Sequence, residues 1–146
     1  MSDTSNTKIH QRPLSPHLQV YRLPITAILS ICHRASGIVL ALGAVLVTAW
    51  LVAAAMGEEQ FNFFMNIAKT PIGIFILFGW SAALFYHMCS GIRHLMMDVG
   101  FWIKERSIGE GVAFVVIGAI LLTGGTWYYA ASHIMAPTAE QEAANE

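Results

Sequence analysis

The sequence predicts an all-α integral membrane protein with three membrane-spanning helices, and three observations carry that prediction. Hydrophobic residues make up 55% of the 146 residues and charged residues only 12%, where a soluble domain carries about 25% charge. Mean hydropathy is +0.56. The apolar residues are also gathered into long runs, each near the length needed to cross a bilayer. The length leaves room for one domain. A net charge of -1 gives no support to nucleic-acid binding, which would need a basic face.

The first segment, residues 1–23, is polar at its start and lacks the apolar core of a secretory signal. It also lacks the arginine-rich, acid-poor character of a transit peptide, so the hydrophobic segments that follow are expected to be retained anchors. The first helix is expected over about residues 24–56. Its run from Ile38 to Met56 holds one polar side chain, Thr48, and reaches about 28 Å, close to the roughly 30 Å of hydrocarbon. Pro24 suits a first helical turn, and the whole helix would be about 50 Å long, so its first turns project into the interface or a partner.

The second helix is expected over 71–98, opening at Pro71, and the third over about 111–134. Trp127, Tyr128 and Tyr129 near the end of the third suit an interfacial belt. The tail 135–146 is short and acidic. Basic residues set the orientation. Lys8, Arg12, Arg22 and Arg34 flank the first span, and Arg93, Lys104 and Arg106 are read as lying between spans two and three. The positive-inside rule then puts the N-terminus and the second connection in the cytoplasm. A bacterial inner membrane is the expected location, ahead of a mitochondrial inner membrane. Cys32 and Cys89 fit neither a disulfide framework nor a CxxC metal site and read as packing residues.

Polar residues in the second helix are the informative ones. From Ile72 to Tyr86 there are only about 15 residues, about five short of a span, so the helix must carry His87 into the hydrocarbon. An ionisable residue there is a functional-site hypothesis by default. At 100° per residue His94 and Asp98 fall about 20° either side of His87, and Ala83 and Gly91 about 40° away. Phe78, Phe85, Ile92 and Met96 lie roughly opposite, on a face suited to lipid. Small residues at this spacing can serve helix packing alone, but the histidine still needs a partner. A neutral imidazole can ligate haem iron. Zinc would call for a cluster of further soft ligands, and a proton relay for a chain of acids, of which only Asp98 is near.

The first helix carries a matching face. Ser30, His33, Arg34 and Gly37 stand at i, i+3, i+4 and i+7. Arg34 offers a planar fork to a carboxylate and Ser30 a hydroxyl to a carbonyl oxygen. The plainer reading is an arginine snorkelling to the interface beside a satisfied histidine.

Three stretches carry a family resemblance. Arg12 to Tyr21 reads RPLSPHLQVY, Ser30 to Gly37 reads SICHRASG, and His87 to Asp98 reads HMCSGIRHLMMD. Together they resemble the signatures of the cytochrome b subunit of succinate dehydrogenase, the larger of its two membrane anchors. The resemblance implies a complex with a flavoprotein subunit that oxidises succinate, an iron–sulfur subunit that carries the electrons, and a small membrane anchor packed against this one in the lipid bilayer. It implies haem b shared between the anchors, with His87 as the axial ligand to the haem iron and a histidine of the small anchor as the second. His33 is not excluded as that second ligand by its place on the helix. Ser30 and Arg34 match the residues that help form the ubiquinone pocket, and His33 and Arg34 match positions close to a haem propionate. His94 also falls within the haem-side motif, with a less definite role. The succinate-oxidising site belongs to other subunits, so this chain is expected to be catalytic only as part of the complex. An anchor of a fumarate reductase, a purely structural anchor without haem, and a transporter subunit are the rival readings. Transport would need polar residues in both membrane halves, and the third helix offers little beyond Thr123 and Thr126.

Overall fold

The computed structural model describes residues 21–132 together with Ser15 and His17, with only the backbone at Glu105 and Arg106. The rest of the N-terminal segment, with Lys8, Arg12 and most of the RPLSPHLQVY stretch, and the tail 135–146 lie outside the described residues. Among the described residues four helices follow in order, α1 Ile25–Met56, α2 Glu58–Ala68, α3 Pro71–Asp98 and α4 Glu105–Ala130. Three of them, Ile25–Met56, Pro71–Asp98 and the Ser107–Ala130 part of α4, are long and apolar enough to cross a membrane. Pro24 is the N-cap of α1, in extended conformation, and not its first turn.

The connection between the first two spans is itself helical, which the sequence reading did not anticipate. Gly57 ends α1 with φ 121°, a conformation that side-chain-bearing residues rarely adopt. Glu58 and Glu59 then fill the first turn of α2, where negative charge favours the exposed N–H groups. Phe61, Phe64, Met65 and Ala68 form its half-buried side. Thr70 caps α3 by accepting a hydrogen bond from the Gly73 N–H at 3.1 Å, and Pro71 occupies the first turn, where no N–H is needed.

α3 is the central helix. It packs on α1 along one side and α4 along the other, while α1 and α4 barely meet. The buried centre is small: Leu29 of α1, Cys89 of α3 and Val115 of α4, flanked by Tyr86 and Val112. Cys89 rests on Gly118 of α4, whereas Cys32 is exposed. Most large apolar side chains face outwards, as expected where lipid or another membrane helix is the surroundings.

Polar bonds fasten the helices at both ends. Tyr86 donates its hydroxyl hydrogen to the Leu29 carbonyl at 3.0 Å, joining α3 to α1. Trp127 donates its indole N–H to Ser81 at 2.9 Å, joining α4 to α3. Trp127 therefore faces a neighbouring helix, and only Tyr128 and Tyr129 are exposed as an interfacial belt requires. Phe78 and Ile92 are exposed on the lipid-suited face of α3, but Phe85 and Met96 are half-buried.

Arg93 needs a second correction. Because α3 continues to Asp98, Arg93 lies within the helix and only 3% of it is exposed. It packs where α4 presents Gly111, whose added methyl group would stand 3.0 Å from the Arg93 Nε. Of the three basic residues only Lys104 lies between α3 and α4, since Arg106 falls in the first turn of α4.

Candidate functional site at the crossing of the first and third helices

The site begins with two histidines and two glycines that interleave. The His87 ring of α3 lies over Gly37 of α1, where an added methyl group would meet Cε1 at 3.2 Å. The His33 ring of α1 lies over Gly91 of α3, where the corresponding approach is 3.9 Å. Each helix thus offers a missing side chain to the other's imidazole. The two rings stack with centroids 4.0 Å apart and planes 14° apart. His94, about two turns beyond His87 on α3, adds a tilted ring 5.2 Å from His33.

Two oxygens of α1 meet one nitrogen of His87. Its Nδ1 lies 3.1 Å from the His33 carbonyl oxygen and 3.0 Å from the Ser36 hydroxyl oxygen. A carbonyl can only accept, so a bond to it requires a hydrogen on Nδ1. In a neutral ring Nε2 then carries the lone pair. This is the arrangement of a metal-ligating histidine, whose second nitrogen is commonly held by a backbone carbonyl. His33 differs: its Nδ1 is buried and has no hydrogen-bond partner.

Ser30 and Arg34 occupy one turn of α1, where the Arg34 Nε donates to the Ser30 carbonyl at 3.4 Å. Arg34 is exposed and Ser30 half-buried. His33, His87 and His94 are therefore brought together, while Ser30 and Arg34 share the same stretch of α1 without contacting α3 through any hydrogen bond among the described residues. Asp98 is exposed at the end of α3. No three His, Cys, Asp or Glu among the described residues form a group able to hold a metal ion. A porphyrin iron asks less of the chain, one imidazole nitrogen per axial position. His87, with its Nδ1 held by α1, fits that demand.

Ser36 and Tyr86 were not singled out from the sequence. Ser36 stands three residues after His33, a spacing that puts both on one side of α1. Tyr86 sits at the end of an apolar run and had no such signal. An apolar cavity of about 330 Å³ lies away from the site, lined by residues of α1, α2 and α3 that include Gly43, Phe64 and Trp80.

Comparison with known proteins adds a family context. The family described as succinate dehydrogenase/fumarate reductase transmembrane subunit matches residues 8–126. The succinate dehydrogenase cytochrome b556 subunit of Paracoccus denitrificans is 41% identical over 111 residues, covering 76% of this chain and 85% of that one. Its counterpart in Rickettsia felis is 35% identical over 127 residues, covering 87% and 99%. The mitochondrial succinate dehydrogenase cytochrome b560 subunit of Mus musculus is 38% identical over 117 residues, covering 78% and 69%.

Proposed function

The chain belongs to the succinate dehydrogenase/fumarate reductase transmembrane subunit family, and from that premise we propose that it is a membrane anchor of succinate:ubiquinone oxidoreductase that binds haem b through His87. The observation that carries this reading is the bond from His87 Nδ1 to the His33 carbonyl, which leaves Nε2 as the ligating nitrogen. The name cytochrome b carried by the relatives supports haem as the group bound. Haem supplies one-electron redox chemistry when held there.

A second histidine ligand to the haem would be supplied by the small anchor. His33 is a poor candidate for that role, because its ring lies directly against that of His87. Rings stacked at 4.0 Å leave no room for a porphyrin between them. His33 and Arg34 instead serve the propionate side, and His94 completes the aromatic wall beside His33. Ser30 and Arg34 bind ubiquinone, by a hydroxyl and a cationic donor at a carbonyl oxygen that becomes more negative on reduction. Electrons reach this site from succinate through a flavoprotein subunit and an iron–sulfur subunit. The chain holds the complex at a bacterial inner membrane with its N-terminus cytoplasmic.

Succinate oxidation is favoured over fumarate reduction because the curated relatives carry the name succinate dehydrogenase. A reduced-minus-oxidised spectrum of the assembled complex tests the haem reading. A b-type band that His87→Ala loses or shifts supports it, and the same band in both proteins moves the ligand elsewhere.

A further inference from the structure

Ser36 lies one turn beyond His33, on the buried side of α1, and is 7% exposed. Its hydroxyl oxygen stands 2.7 Å from the His33 carbonyl and 3.0 Å from His87 Nδ1. A serine hydroxyl has one hydrogen and two lone pairs. The short bond to the carbonyl uses the hydrogen, so the oxygen meets His87 as an acceptor. The N–H of His87 is consequently shared between two acceptors, the Ser36 hydroxyl and the His33 carbonyl, both on one turn of α1.

We propose that Ser36 is a positioning residue for the axial histidine, fixing the ring plane of His87 and raising the basicity of its Nε2. The inference rests on the reading of His87 as a haem ligand and deepens it. Two physical effects carry it. The outermost torsion of a histidine is broad and weakly restrained by itself, and a pair of acceptors on one turn defines the plane in which Nδ1–H must lie. Gly37 supplies the space beneath the ring, but space alone sets no rotation. In addition, an imidazole that donates through one nitrogen becomes a stronger ligand through the other. A more basic ligand stabilises ferric over ferrous iron and lowers the potential.

A purely structural role for Ser36 makes different demands. A serine inside a helix often bonds back to a carbonyl one turn earlier for its own satisfaction, and then any small residue would serve. Alanine keeps the packing and is the better helix former, but it removes one of the two acceptors and leaves the His33 carbonyl alone. Threonine retains a hydroxyl that can make the same bond back along the helix.

The test uses the whole complex purified from membranes, as wild type, Ser36→Ala, Ser36→Thr and His87→Ala. The readouts are haem content, midpoint potential by redox titration, and the g-values of the ferric haem, which report ligand ring orientation. Ser36→Ala is expected to hold haem about tenfold less tightly, with a more positive potential and altered g-values. Ser36→Thr stays near wild type. Complete haem loss in Ser36→Ala with haem kept in Ser36→Thr also supports the proposal. Wild-type potential and g-values in Ser36→Ala overturn it. So does an equal change in Ser36→Ala and Ser36→Thr, because packing then explains both. Absence of b-type haem from wild type, or its survival unaltered in His87→Ala, overturns the haem reading itself and the assignment of Ser36 with it.

Discussion

The imidazole of His33 lies nearly flat on that of His87, with ring centroids 4.0 Å apart, while the backbone carbonyl of the same His33 lies within hydrogen-bond distance of the His87 Nδ1. One residue of α1 thus meets the principal residue of α3 twice, through its ring and through its peptide group. The side chain can be changed without removing the carbonyl. His33 substitutions should therefore alter the surroundings of His87 while its tautomer is retained.

The glycines at the crossing should respond unequally. A methyl group at Gly37 would press on His87 at 3.2 Å, whereas one at Gly91 would meet His33 at an ordinary 3.9 Å. Gly→Ala within a helix is otherwise stabilising by about 1 kcal/mol, so a loss at Gly37 cannot be blamed on helix propensity. Gly37→Ala is expected to lower haem content or shift the haem spectrum, and Gly91→Ala to remain close to wild type in both. Haem content per assembled complex, with its spectrum, checks the pair.

Quinone reduction should separate from succinate oxidation at the other end of the same turn. Arg34→Ala removes a charged donor, an interaction of about 1.5–3 kcal/mol, and Ser30→Ala a neutral one of about 1 kcal/mol. Quinone reduction is expected to fall by roughly 10- to 100-fold in kcat/KM for Arg34→Ala and roughly fivefold for Ser30→Ala, each 1.4 kcal/mol being a factor of ten. Oxidation of succinate by an artificial dye should persist. Parallel loss of both activities would point to failed assembly and away from a quinone site.

Trp80 and Gly43 carry a stability prediction. The indole of Trp80 in α3 occupies the space that a side chain at Gly43 of α1 would need, and its Nε1 is buried without a hydrogen-bond partner. Gly43→Ala must push the indole aside, a form of overpacking that costs about 1–3 kcal/mol. Thermal inactivation of the detergent-solubilised complex should begin at lower temperature. An unchanged profile would mean that Trp80 has another place to lie.

What the sequence discloses and what it hides follow from the type of contact involved. The spans are legible because apolar runs and the Thr70–Pro71 helix start are local features. His87 stands out because an ionisable residue in such a run is costly. The helix α2 went unread although Phe61, Phe64, Met65 and Ala68 have helical i, i+3, i+4, i+7 spacing. The bond to the His33 carbonyl has no sequence signature, since every residue carries a carbonyl. The Trp127–Ser81 bond joins residues 46 positions apart, so a wheel drawn on one helix could not reveal it. Arg93 falls inside the expected helix 71–98, yet its charge is counted there with the connection that follows; the glycine that accommodates it is on another helix.

The central claim is that His87, and not its stacked neighbour, ligates the haem iron. The most direct measurement compares the reduced-minus-oxidised and ferric low-spin spectra of the assembled complex for His87→Ala and His33→Ala. The account predicts that His87→Ala loses the low-spin b-type signal, while His33→Ala keeps it with at most a shifted potential. Loss of the signal in His33→Ala with retention in His87→Ala would contradict it.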